Sequence, residues 1–139
     1  VSHSPDVLRE TLQLLASAFD RVFFTPGNHD IWTWSYHVSP RSAPLPGAED
    51  SLSRLAEALA LCEELGVQTT PGVAAGAIVV PVLAWHHLSW DTEPDITGWQ
   101  GIPPCELVMS DFRRTAFPSH MPCGSDSCAA HFDALNDVP

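Results

Sequence analysis

Basic residues are scarce in this chain: six Lys and Arg stand against 17 Asp and Glu in 139 residues, a formal net charge of -11. A field of that sign repels phosphate backbones and anionic lipid headgroups, which argues against nucleic acid and membrane surfaces as electrostatic partners. It suits a chain that gathers cations, although acidic surfaces also serve solubility. No apolar run approaches the ~20 residues a membrane span requires. Of the four cysteines, Cys123 and Cys128 fall at a Cys-x4-Cys spacing that is not the usual zinc knuckle, and the nearby His131 brings no fourth ligand. Free thiols in a reducing compartment are expected. A soluble chain is expected on these grounds, with an intracellular place favoured and the compartment left unknown. The sequence opens on Val1 and not on Met, so targeting segments are out of view and a fragment of a longer protein is expected.

What is present suffices for one domain, spanning 1–139. The chain is 45% hydrophobic, enough for a real core but too short for two comfortable domains. Its 13 prolines imply many loops. The chemistry concentrates in Val22-Phe23-Phe24-Thr25-Pro26-Gly27-Asn28-His29-Asp30. Three apolar residues read as a short buried strand, and Pro26 and Gly27 stop it and turn the chain. The turn delivers an amide, an imidazole and a carboxylate. Beyond the carboxyl end of a parallel strand is where open α/β sheets bind ligands.

On Gly27-Asn28-His29-Asp30, preceded by an aromatic strand, the chain resembles the calcineurin-like metallophosphoesterases. That resemblance implies Asn28 as a metal ligand and His29 as the acid that meets the phosphate and leaving group, with Asp30 as the carboxylate that orients His29. A neutral hard oxygen suits a site crowded with anionic ligands, and an imidazole can donate a proton near neutral pH. The resemblance further implies an α/β fold: a metallophosphoesterase-type β-sandwich flanked by helices, here an incomplete four-layer α/β/β/α arrangement. In the family, Asp-x-His, Gly-Asp and Gly-His-x-His segments supply most ligands to two divalent ions (Mn, Fe or Zn), and none of these segments occurs here. The implied activity is metal-dependent hydrolysis of a phosphoester by the complete domain. A non-catalytic binding module on a degenerate version of the fold is the alternative.

Around the motif, Leu8, Leu12, Leu15 and Phe19 recur at spacings of four, three and four, which predicts a helix with one buried stripe, capped by Ser4 or Asp6. His3 is a candidate for the site's edge. Trp32 is expected to cover the core, and Trp34, Tyr36 and His37 to form a rim in a proline-rich loop running to Pro46. Asp50 or Ser51 caps a second helix that carries Leu52, Leu55, Leu59, Cys62 and Leu65 inward and ends at Gly66. Val67 to Pro71 reads as a strand and turn. Ala77 to Trp85 reads as a strand, with Pro81 marking an edge or bulge. Its end carries His86 and His87, which cannot face the same way because strand side chains alternate. Either could approach the metals. Trp85-His86-His87 and the Asp91-Thr92-Glu93-Pro94-Asp95 block are similar to a plant and algal branch of the same family. Leu107 to Phe112 is expected as a strand or short helix. Arg113-Arg114 is read as a surface pair, and Asp126 to Leu135 as a last helix capped by Ser125.

Overall fold

Helix α1 spans Pro5–Ala18 with Pro5 in its first turn and Ser4 at its N-cap, and it buries Leu8 and Leu12. Leu15 is half-buried. Phe19, expected to extend the stripe, is 62% exposed. The reason is local: Phe19 is the residue after the helix, with extended backbone at φ -129° and ψ 141°, so its side chain leaves the helical face. In the computed structural model of this protein, residues 4–33, 49–94, 98 and 101–137 are described. His3, Trp34, Tyr36, His37, Pro40, Pro44, Pro46 and Asp95 therefore lie outside the described residues.

The strand expected at Val22 to Phe24 is reduced to one parallel bridge, Phe23 with Gln68. Phe24 N–H donates to the Gln68 carbonyl at 2.9 Å, and Gln68 N–H donates to the Val22 carbonyl at 2.8 Å. Val22, Phe23 and Phe24 are consequently half-buried, not the fully buried run expected. Two ladder bonds still anchor the chain just before the Pro26-Gly27 stop, which fixes where the turn begins.

Helix α2 spans Ser51–Glu64. Asp50 is its N-cap, with the carboxylate accepting from Ser53 N–H at 2.8 Å, and Gly66 follows its end at φ +68°. α2 is the beam on which two apolar clusters rest. On one side Leu61 and Cys62 meet Leu8, Leu12 and Val67, with Val22 and Phe24 packed against them. Farther toward its N-terminus, Leu55 meets Ile31, Met121, Cys128 and Phe132, with Leu83, Trp85 and Phe117 packed against them.

The apolar run after Gly76 departs most from expectation. It opens as the second strand of an antiparallel hairpin, β1 Gly72–Ala74 with β2 Ala77–Val79, in the register Gly72 with Val79 and Ala74 with Ala77. Ala75 and Gly76 connect them with φ of 48° and 79°, the positive pair a two-residue type I′ turn demands. From Ile78 to His87 exposed and half-buried residues alternate without a break, even numbers outward and odd numbers inward. Ile78, Val80 and Val82 are thus exposed. A proline at 81 gives no ladder hydrogen bond, consistent with an extended segment that has left the hairpin.

The remainder is helical in short pieces. α3 is Cys105–Val108 and α4 is Asp111–Arg114, so the segment expected as strand or helix is two single turns. α5 spans Asp126–Ala134, and the Ser125 hydroxyl oxygen accepts from Cys128 N–H as expected. Phe132 is buried, whereas Leu135, expected inward, lies just past the helix and is 41% exposed. The described residues therefore combine helices with one small two-stranded sheet. No helix among them is long and apolar enough to cross a membrane.

Candidate functional site

Residues Asn28–Ile31 form a single 3-10 turn. With three residues per turn, positions i and i+3 eclipse, and two such pairs organise the motif. Gly27 N–H donates to Asp30 Oδ2 at 2.8 Å. The His29 ring stacks on the Trp32 indole, centroids 3.8 Å apart. Asp30 does not hydrogen-bond His29, contrary to its expected role as the orienting carboxylate. Its side chain lies one step around the turn, folded back on the Gly27 amide. The aromatic stack holds the imidazole instead.

Asp30 is buried and faces a hollow of about 430 Å³ between α1 and α2, shared with Arg54 and Glu57. Asn28 faces elsewhere. It lines a cleft of about 270 Å³ together with His86, Asp111, Trp85 and Cys123. The structure thus brings Asn28 and His86 into one cleft and separates both from Asp30. His29 is exposed and is not part of the cleft wall, yet it is tied to it through Trp32.

That tie runs through Asp111, which sequence reasoning passed over. Asp111 is buried at the start of α4, and its Oδ1 accepts two hydrogen bonds, from Asn28 Nδ2 at 2.8 Å and from Trp32 Nε1 at 2.7 Å. Thr33 N–H donates to the Arg114 carbonyl at 2.8 Å, stitching the end of the motif to the end of α4. The available signal was an acid at the end of the largely apolar stretch Leu107-Val108-Met109-Ser110-Asp111-Phe112: a carboxylate buried there needs donors.

The far wall of the cleft depends on docking the 83–90 segment to α5. Leu83 N–H donates to Asn136 Oδ1 and Asn136 Nδ2 donates to the Leu83 carbonyl, both at 2.8 Å; a side-chain amide thereby replaces a neighbouring strand. Trp85 stacks on Phe132 with centroids 5.1 Å apart and donates its Nε1–H to the Cys123 carbonyl at 2.8 Å. His87 turns inward, as alternation requires. It stacks flat on Trp90 at 4.0 Å, and its Nε2 lies 3.0 Å from Asp133 Oδ2 but outside hydrogen-bond geometry. Of the two expected candidates, His86 therefore reaches the cleft and His87 anchors the segment behind it. Ser89 N–H donates to Asp126 Oδ1 at 3.1 Å, and this bond is the main reason the Asp126 carboxyl sits below its ordinary range.

The thiols are poorly suited to nucleophilic work. Burial pushes Cys62 up to about 11 and Cys128 up to about 12, and it raises Cys123 at the cleft. Raised values keep a thiol protonated and inert. Chemically, the cleft offers a cation one amide oxygen and one imidazole, with a carboxylate beside them. Those are hard or borderline donors that suit a divalent ion. Among the described residues, no three His, Cys, Asp or Glu side chains are grouped to hold a metal ion; the donors that line the cleft fit one side of a centre. In comparisons with known proteins, the chain matches no family model, no curated protein and no solved structure.

Proposed function

We propose that this chain carries part of the site of a metal-dependent phosphoester hydrolase, in which Asn28 and His86 contribute to one metal position and His29 serves the leaving group. One observation supports this most directly: the Asn of the Gly27-Asn28-His29-Asp30 turn and a His from the end of a distant extended segment line the same cleft. In this reading the described elements belong to an incomplete β-sandwich flanked by helices. The remaining ligands of a dinuclear centre come from segments of a longer chain.

Bound divalent ions would polarise the phosphoryl oxygens and lower the pKa of a water nucleophile. The chain's own residues do the rest. Asn28 offers an oxygen that adds no negative charge. His29, exposed at the turn and held by its stack on Trp32, presents a ring nitrogen that can donate a proton to the departing oxygen. The acidic field of the chain would oppose a phosphate substrate, and bound cations would reverse that locally.

The absence of a three-residue ligand group among the described residues favours the second reading, a non-catalytic binding module on the same fold. Turnover of an aryl phosphate monoester and diester by the longer parent chain with Mn²⁺ separates the two. His29→Ala is expected to lower turnover by about 10²- to 10⁴-fold while leaving the fold intact. Unchanged turnover would remove His29 from the mechanism.

A further inference from the structure

The contacts of Asp111 carry an inference that rests on this hydrolase reading and extends it to a residue outside the motif. An amide side chain is nearly symmetric in shape, so a ligand Asn must be told which end to present. A carboxylate accepts and does not donate, so the amide end it holds must be nitrogen. Asp111 holds Asn28 by Nδ2, and the indole of Trp32 holds the same Asp111 oxygen. We infer that Asp111 is the positioning residue that turns the Asn28 oxygen into the cleft. Trp32 coordinates the device, since one ring both fixes Asp111 through its Nε1 and carries the His29 imidazole on its face. Asn28 and His29 are thereby set by a single buried unit, although Asp111 lies far along the chain. Partners of metal ligands that sit one shell out commonly govern affinity by about 10- to 100-fold.

The NMR measurement uses the 139-residue chain, and the metal titration uses the longer parent chain that the hydrolase reading requires. In ¹⁵N-labelled protein, the Asn28 side-chain amide is expected to show a cross-relaxation peak to the Trp32 indole N–H, because both protons converge on one oxygen. Absence of that peak would overturn the inference whether or not a metal binds. Mn²⁺ is then titrated into the longer parent chain as wild type, Asp111→Asn and Trp32→Phe, with free ion followed by electron paramagnetic resonance. Asp111→Asn is expected to bind about 10- to 100-fold more weakly, and Trp32→Phe, which keeps a ring but loses the donor, to fall between. The reciprocal exchange, Asn28→Asp with Asp111→Asn, restores the pair with donor and acceptor reversed and is expected to regain most of the affinity. Equal affinity in wild type and Asp111→Asn would overturn the positioning role and leave the hydrolase reading standing. So would a loss that the reciprocal exchange does not recover. A wild type that shows the amide-to-indole peak but binds no Mn²⁺ would overturn the hydrolase reading and the role built on it, a pattern distinct from either of the others.

Discussion

Two apolar clusters share helix α2 but are assembled in different ways. The first joins Leu8 and Leu12 of α1 to Leu61, Cys62 and Val67, and most of its members come from two helices whose periodicity is plain. The second gathers Ile31 from the motif turn, Leu55 from α2, Met121 from a loop, and Cys128 and Phe132 from α5. Only the second touches the cleft, through Trp85 and its stack on Phe132. The regular part of the fold is therefore a platform, while the candidate site depends on the irregular part. Periodic sequence can build a stable helix pair, but a cleft needs side chains from distant segments to converge.

The sharpest way to break this distinction is to truncate one member of each cluster. Phe132→Ala is expected to cost about 3–5 kcal/mol and to release Trp85, so that the resonances of His86 and Asn28 shift in the variant's NMR spectrum. Leu12→Ala is expected to cost about 2–5 kcal/mol by denaturant unfolding while leaving those cleft resonances in place. Among the described residues the two clusters have no member in common, so the double variant should be additive within about 0.5 kcal/mol. Movement of the cleft signals in Leu12→Ala, or a large non-additive term, would show that the clusters act as one.

Smaller effects sharpen the same comparison at its edges. Gly124 sits against the cleft wall: a Cβ there would lie 2.5 Å from Phe112 Cε1. Gly124→Ala should displace Phe112 at a cost of about 1–3 kcal/mol, the range for overpacking, and a thermal midpoint equal to wild type would contradict the close approach. At the outer rim, the Ser89 amide leans on Asp126, whose carboxyl is depressed below its ordinary 3.8. A depressed carboxylate contributes stability that is fully present above the unfolded value and is lost as pH falls through the folded one. Exchange protection of the Ser89 amide is expected to hold above about pH 4 and to fade below it. Protection unchanged down to pH 2 would detach Asp126 from the docking of this segment.

How much of this was legible depends on range. The caps of α2 and α5, the buried stripe of α2, the Gly66 stop and the opposed directions of His86 and His87 all follow from residues within a few positions of one another, where backbone periodicity alone decides. Reading failed where a partner was needed. Val22 to Phe24 looked like a buried central strand, yet a single bridge to Gln68 leaves it half-covered. Ala77 to Trp85 read as one strand, yet it pairs only from Ala77 to Val79, and beyond that only the odd-numbered residues find a surface to pack on. Asp30 was expected as the partner of His29 from the resemblance, and in the 3-10 turn its carboxylate accepts from the Gly27 amide.

By itself, then, the amino-acid order determined where helices start and stop and which short turn bears Asn28 and His29, because capping, glycine placement and apolar spacing act over one or two helical turns. Tertiary structure alone decided that Asp111 and Trp32 hold that turn, that His86 and not His87 lines the cleft with Asn28, and that Asn136 stands in for a missing strand. Two of those outcomes, at Asp111 and at Asn136, required a polar group withdrawn from solvent to find its hydrogen-bond partner dozens of residues away, and the demand that such groups be satisfied has no signature in local spacing.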